Sequence, residues 1–168
     1  AEGLMQTLIE IGPQVVHGPP EYASRANLMW TATLALNGLI AAGVPQDWAT
    51  HLTGHELTAR FGLDHAQTLA VLLPTMLDVR RQGKHAKLLQ FAERIWGIHQ
   101  GGDAERIDRA IGKTREFFES LGVKTRLSDY GITRADIDDL VQQLDVHGMT
   151  RLGERQDVTL AVSRQVYE

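Results

Sequence analysis

The sequence predicts an all-α fold, a single helical bundle over residues 1–168. Apolar residues recur at intervals of three and four along most of the chain, which is the period of a helix packed against a core. Strict apolar-polar alternation, the pattern of a half-buried strand, is almost absent. Glycine and proline stand mostly between the periodic segments, where helices stop. These observations favour one helical domain without repeats or linkers.

Two helices are predicted before residue 37. The first begins near Leu4, is bent or interrupted at Gly12 and Pro13, and ends before Gly18. The second, Tyr22–Leu36, is rich in Ala, Leu, Met and Trp, and its polar residues are too sparse to cover a face. We therefore expect this second segment to be the buried central helix.

The next helices are predicted from their caps. Asp47 is expected to cap a helix that runs to Arg60, and Asp64 a helix that runs to about residue 81 with a kink at Pro74. A further helix is predicted over residues 84–98. Three tryptophans, Trp30, Trp48 and Trp96, are expected to be packing residues.

The last third of the chain predicts three more helices. Residues 103–121 form a strongly amphipathic surface segment that stops at Gly122. Thr133 and Asp136 have the spacing of a capping box for a helix to about residue 146. Asp157 is expected to cap a last helix that runs to the end of the sequence.

Composition narrows the class of protein. The chain is 43% hydrophobic and 23% charged, a balance that can bury one core. Its formal net charge of −4 argues against nucleic-acid and anionic-membrane partners, and no apolar run is long enough for a membrane span. The absence of cysteine excludes disulfides and thiolate ligands and agrees with a reducing, cytoplasmic setting. The beginning of the sequence inside an amphipathic pattern suggests a part of a longer chain.

Three histidines lie within fifteen residues, at His51, His55 and His65. His51 and His55 are four apart and share one face of a helix, while the break at Gly62 places His65 in the first turn of the next helix. Neutral imidazole is a common ligand for Zn²⁺ and Fe²⁺, so this arrangement is typical of part of a metal site.

Other interpretations of these histidines stay open on spacing alone. A histidine pair four apart on a helix is more often a surface or core feature than a ligand pair. The zincin motif His-Glu-x-x-His is excluded because Ala59 stands where the second histidine belongs. No donor lies at metal spacing from the remaining histidines, so we do not expect them to bind metal: His17, His85, His99 and His147.

The segments GHELTA (54–59) and GLDHAQTLA (62–70), followed by Leu73-Pro74, resemble the metal-binding signature of the iron-containing (group III) alcohol dehydrogenases. The similarity is to the branch of NADPH-dependent aldehyde reductases and butanol dehydrogenases, and it runs nearly end to end. Further segments that fit this branch are RANLMW (25–30), LNG (36–38), GVPQDWATH (43–51), LSDYG (127–131) and VSRQVYE (162–168).

The resemblance implies a fold, a reaction and a set of site residues. The fold is the all-helical C-terminal metal- and substrate-binding domain of a dehydroquinate synthase-like enzyme. His51 and His65 correspond to two metal ligands fourteen residues apart, with an aspartate and another histidine expected upstream of Ala1. His55 corresponds to a histidine beside the metal that relays a proton, although its place on the helix face fits a residue that orients a metal ligand equally well. Asp64 is the other candidate for that orienting role, but the role of helix N-cap is favoured for it.

The same resemblance implies cofactors and partners. A divalent metal, Fe²⁺ or Zn²⁺, would polarise the carbonyl of a small aldehyde, and hydride would come from NADP(H) or NAD(H) bound mainly by an upstream nucleotide-binding domain. The full-length enzyme is expected to be a homodimer, and residues 1–168 alone are expected to be inactive. The alternative from another class is a non-catalytic helical interaction or metal-sensing domain, favoured by the absence of a Gly-rich nucleotide motif in this chain.

Overall fold

The computed structural model describes all residues, 1–168, and the chain is helical almost throughout. The predicted all-α class is confirmed, and the one sheet is a two-stranded antiparallel ribbon. No helix combines the length and the hydrophobicity needed to cross a membrane. The elements in chain order are α1 (Glu2–His17), α2 (Tyr22–Leu36), a 3-10 turn (Leu39–Ala41), α3 (Ala49–Phe61), α4 (His65–Val79), α5 (His85–Arg94), α6 (Asp103–Ser120), a 3-10 turn (Leu127–Tyr130), α7 (Arg134–Val146), β1 (Arg151–Leu152), β2 (Val158–Thr159) and α8 (Leu160–Tyr167).

The helices group into two compact units. The first unit comprises Ala1–Pro45 and Leu89–Gly122, and the second comprises Gln46–Leu88 and Val123–Glu168. The first therefore holds α1, α2 and α6, and the second holds α3, α4, α7 and α8. Each unit is described by itself.

In the first unit, α1 packs along α2 and also meets α6. A Cβ at Gly12 would lie 3.3 Å from Cζ of Phe117, so the small residue allows α1 to approach α6 closely. A small apolar core forms from Ala92, Ile98 and Ala110, with Trp96 packed against it. The Trp96 indole N–H donates to Oγ1 of Thr114 at 3.2 Å, which confirms the packing role predicted for this tryptophan.

Two expectations for the first unit are not met. Helix α1 runs through Gly12 and Pro13 without an interruption, so of the two predicted effects, a bend or an interruption, the second is wrong. Helix α2 has the predicted bounds, but Thr31 is its only buried residue, and Trp30 is exposed. The composition of α2 is that of a core helix, yet no other residues of this chain bury most of its side chains.

The second unit contains the larger core. Helices α3 and α4 pack side by side, and α7 and α8 close the bundle. The largest fully buried side chains of this core are Leu57, Leu72, Leu140, Leu144 and Val158. In the two-stranded ribbon, Leu152 of β1 pairs with Val158 of β2, and α8 begins directly after β2.

Hydrogen bonds from capping side chains fix the starts of α7 and α8, and the capping residue of α8 differs from the predicted one. The capping box of Thr133 and Asp136 is confirmed, and the amide of Thr133 donates to the Asp136 carboxylate at 2.8 Å. The predicted cap of the last helix is wrong, because Thr159 accepts from the amide of Val162 and caps α8 instead. Asp157 pairs with the buried guanidinium of Arg80 at 2.7 Å.

Candidate metal centre

Helix α3 presents His51 and His55 one turn apart. The helix begins at Ala49, whose amide donates to a carboxylate oxygen of Asp47 at 2.9 Å and so fixes the position of the first turn. His51 is half-buried and His55 is exposed. Because the two side chains are four residues apart, they project from the same side of α3.

The chain reverses between α3 and α4 within three residues. Gly62 adopts a left-handed conformation, with φ of 71°, and ends α3. Asp64 then begins α4 in a capping box with Gln67, whose side-chain oxygen accepts from the Asp64 amide at 2.9 Å. His65 is thereby the first residue of α4, as the sequence predicted.

Gly54 allows α3 and α4 to approach at the level of the histidines. A Cβ at this position would lie 2.8 Å from Oγ1 and 3.2 Å from Cβ of Thr68, which is closer than such atoms pack. The Thr68 hydroxyl donates to the carbonyl of His65 at 2.8 Å. The glycine thus sets the distance between the two helices that carry His51 and His65.

The three imidazoles form one cluster on the second unit. The ring centroids of His51 and His65 are 5.1 Å apart, and those of His55 and His65 are 6.0 Å apart. Trp48 stands edge-on to His51 with a centroid distance of 4.9 Å. The shared helix face of His51 and His55 follows from their spacing in the sequence. The position of His65 near both depends on the turn at Gly62 and on the close helix approach at Gly54.

The electrostatic surroundings of His51 favour its neutral imidazole. Partial burial lowers the pKa of His51, and the neighbouring rings of His65 and His55 lower it further. A neutral imidazole keeps a free lone pair at neutral pH, which is the form that ligates a metal. No protein group donates to or accepts from the ring nitrogens of these three histidines.

The donor set of this chain is incomplete for a metal ion. No group of three or more His, Cys, Asp or Glu side chains has an arrangement that would hold one. His51 and His65, from two helices and without other partners, fit as two of several ligands, since catalytic zinc sites take three protein ligands.

A buried polar network lies behind the histidine face of α3, and the sequence did not reveal it. Oε1 of the buried Glu56 lies 2.8 Å from Nδ1 of His147, at the end of α7. The Tyr167 hydroxyl donates to the carbonyl of Thr53 at 2.8 Å. Burial raises the pKa of the Tyr167 phenol, and the charge of Glu56 raises it further, so the phenol stays a donor. The sequence carries no signal for contacts between residues this far apart.

An ionic cluster supports the start of α3. The ammonium of Lys84 binds the Asp47 carboxylate at 3.0 Å and also binds Glu154. Burial works to raise the pKa of Asp47, but the hydrogen bond from Ala49 and the ammonium of Lys84 outweigh it and hold the pKa below its ordinary value. This cluster was not predicted either, apart from the capping role of Asp47.

Comparison with known proteins identifies the family of this chain. Residues 1–153 match the family model described as the Fe-containing alcohol dehydrogenase family, C-terminal. The NADPH-dependent aldehyde reductase YqhD of Escherichia coli is 61% identical over 168 residues, which is 100% of this chain and 43% of that protein. NADH-dependent butanol dehydrogenase A of Clostridium acetobutylicum is 34% identical over 145 residues, covering 85% of this chain and 37% of that protein.

Solved structures of relatives share the fold. A substrate- and cofactor-free form of the Escherichia coli aldehyde reductase superposes with a TM-score of 0.97 at 60% identity, over 99% of this chain and 44% of that one. NADH-dependent butanol dehydrogenase A of Thermotoga maritima superposes with a TM-score of 0.92 at 28% identity, over 99% of this chain and 44% of that one. This chain thus spans less than half the length of each of these relatives. It belongs to the Fe-containing alcohol dehydrogenase family, of which it represents the C-terminal region.

Proposed function

We propose that this chain is the metal- and substrate-binding part of an NAD(P)H-dependent enzyme that interconverts small aldehydes and primary alcohols. The observation that carries the proposal is the pair of unpartnered imidazoles of His51 and His65, which meet at 5.1 Å from two different helices. The names of the relatives supply the reaction class, since they include an aldehyde reductase and a butanol dehydrogenase.

In this proposal, His51 and His65 hold a divalent metal together with ligands that lie outside the chain. Histidine accepts both Fe²⁺ and Zn²⁺, so the donor set is compatible with either ion. When bound, such an ion supplies Lewis acidity toward the carbonyl oxygen of an aldehyde. Trp48, edge-on to His51, shields one side of the pair from water and provides an apolar wall for a small substrate.

His55 has a different role in the proposal, namely proton transfer. Its exposed ring lies on the same face as His51 and 6.0 Å from His65, so it borders the site without belonging to the closer pair. Reduction of an aldehyde adds hydride to carbon and a proton to oxygen, and the hydride comes from the nicotinamide. We assign the delivery of that proton to His55, because a histidine placed beside the reacting oxygen is the commonest general acid in enzymes.

The nicotinamide coenzyme is proposed to bind mainly to the part of the full-length enzyme outside this chain. The relatives are named for NADPH in one case and for NADH in others, so both coenzymes remain candidates. In this proposal, residues 1–168 supply two metal ligands but not the main nucleotide site, so they have no reductase activity by themselves.

The test compares metal content and turnover in the full-length enzyme and in single-residue variants. Elemental analysis after dialysis and an assay with NADPH or NADH and butanal are made on the unaltered enzyme, His51→Ala, His65→Ala and the control His99→Ala. His99 is an exposed histidine of the first unit. We expect loss of metal and activity in the two ligand variants and retention of both in the control. Retained metal and turnover in His65→Ala contradict the proposed site.

A further inference from the structure

Trp48 carries an exposed indole at the edge of the histidine cluster. It is 41% exposed, although side chains of this size and hydrophobicity usually lie inside proteins. The second unit exposes one other large apolar side chain, that of Val146 at the end of α7. Packing within the unit therefore does not explain why a tryptophan stands beside His51.

Trp48 stands in one row with the two histidines of α3. The spacing is three residues from Trp48 to His51 and four from His51 to His55, so the three side chains lie on one face. The indole is edge-on to His51, with ring centroids 4.9 Å apart. His55 stands on the other side of His51 along the helix, and the ring centroid of His65 lies 6.0 Å from that of His55. The row therefore runs from an apolar ring, where α3 begins, to an exposed imidazole further along the helix.

The backbone around Trp48 is fixed on both sides. The preceding residue, Asp47, binds the ammonium of Lys84 at 3.0 Å and accepts from the amide of Ala49 at 2.9 Å. The following residue, Ala49, is completely buried. The Trp48 carbonyl accepts from the amide of Leu52 at 2.9 Å, which joins it to the first turn of α3. The backbone that carries the indole is thus held in place relative to the histidine cluster.

We propose that Trp48 is a specificity-determining residue that contacts the tail of the aldehyde substrate. This inference rests on the proposed function, in which the oxygen of the aldehyde faces His51, His65 and His55. An aldehyde carbon carries only an oxygen, a hydrogen and one tail, so the tail lies on a side that the imidazoles do not occupy. Within the second unit, the apolar surface next to the cluster is the indole at the start of α3.

The chemistry of this wall selects uncharged alkyl tails. Full burial of one methylene group changes an affinity about fourfold, so an indole that covers one side of the tail should contribute about twofold per methylene. A carboxylate or phosphate on the tail would lose hydration against the indole without gaining an ion pair. The cation next to Trp48 on this side, Lys84, is already shared by Asp47 and Glu154.

The experiment measures kcat/KM for ethanal, propanal and butanal in the full-length enzyme and in Trp48→Ala, Trp48→Phe and the control Val146→Ala. The butanal-to-ethanal ratio within one preparation does not depend on how much of the protein is folded or holds metal, so a merely structural role of Trp48 would not change it. We expect this ratio to fall about fourfold in Trp48→Ala, since the two substrates differ by two methylene groups. It should fall less in Trp48→Phe, which keeps an apolar ring, and stay the same in Val146→Ala. An unchanged ratio in Trp48→Ala overturns the proposal.

The contact with the tail is also measurable without turnover. In saturation-transfer NMR with butan-1-ol and no coenzyme, the aromatic protons of the full-length enzyme are irradiated. We expect transfer to the terminal methyl group, relative to the methylene next to the oxygen, to decrease in Trp48→Ala and to stay the same in Val146→Ala. An unchanged pattern in Trp48→Ala overturns the proposal even where that variant has no activity.

The proposed function and this inference fail in different ways. Absence of turnover with all three aldehydes in the unaltered enzyme contradicts the proposed function and, with it, this inference. Turnover with the same butanal-to-ethanal ratio in the unaltered enzyme and in every variant contradicts this inference alone.

Discussion

The Glu56 carboxylate and the His147 imidazole lie 2.8 Å apart and connect the middle of α3 to the end of α7. Glu56 is 4% exposed, whereas His147 is 48% exposed, so the histidine covers a carboxylate that is otherwise buried. A buried carboxylate without a hydrogen-bond partner is costly. The contact lies one residue from His55 and holds the back of the helix that presents the histidine cluster.

Removing the imidazole is expected to destabilise the second unit. His147→Ala leaves Oε1 of Glu56 without its partner and should cost about 1–3 kcal/mol of unfolding free energy. His147→Gln keeps a donor at this position and should recover part of the loss. Urea unfolding followed by circular dichroism measures both changes. Equal unfolding midpoints for His147→Ala and the unaltered protein contradict the importance of this contact.

Two glycines inside helices, Gly54 and Gly112, should respond in opposite directions when alanine replaces them, because only Gly54 has a close neighbour. Gly54→Ala places a Cβ 2.8 Å from Oγ1 of Thr68 and should destabilise the α3–α4 contact by about 1–3 kcal/mol. Gly112→Ala in α6 meets nothing within 4 Å and should stabilise the chain by about 0.5–1 kcal/mol, because alanine favours the helix. Thermal unfolding of both variants tests the pair. The double variant Gly54→Ala with Thr68→Ala removes the nearest atom and should recover part of the loss.

The ionic cluster at Lys84 predicts a pH-dependent effect with a definite sign. The pKa of Asp47 is below its ordinary value in the folded chain, so its contribution to stability is present above pH 4 and is lost as the pH falls through the folded-state pKa. Lys84→Met removes the cation that Asp47 and Glu154 share. We expect its destabilisation to be largest at neutral pH and to shrink toward pH 3, as the pH approaches the folded-state pKa of Asp47 and this carboxylate becomes neutral.

Urea midpoints at pH 7, 5, 4 and 3 measure this effect. The control is Lys113→Met, since Lys113 is exposed on α6 and stands near the Trp96 ring, 6.0 Å from its centroid, rather than beside carboxylates. The control should show a small loss that does not change with pH. A loss in Lys84→Met that is independent of pH contradicts the electrostatic explanation.

His55 and His65 are expected to differ in what their loss removes from the full-length enzyme. His55→Gln should retain metal and lose about 10²–10⁴ in turnover, the usual contribution of proton transfer. His65→Ala should lose the metal and turnover together. Metal content and kcat measured on the same preparations separate the two roles. Loss of metal in His55→Gln assigns His55 to ligation instead.

Local rules explain why much of the fold and part of the site follow from sequence. The helix starts at Asp64 and Thr133 and the stop at Gly62 depend on hydrogen bonds and dihedral angles within four residues, and all three are as predicted. The shared face of His51 and His55 follows from the helical period for the same reason. The cap of α8 departs from prediction because Asp157 has a distant partner, Arg80, that outcompetes a local role.

By itself, the sequence determined the all-helical class, the order of the helices, the resemblance to iron-containing alcohol dehydrogenases and the histidines to examine. The tertiary structure alone decided that Gly54 brings His65 to His51, that Glu56 meets a histidine 91 residues away, and that Lys84 joins Asp47 to Glu154. It also decided that α2 is exposed, although its composition predicts burial. Helix formation depends on neighbours in the chain, whereas burial and side-chain pairing depend on which distant surfaces are present to pack against.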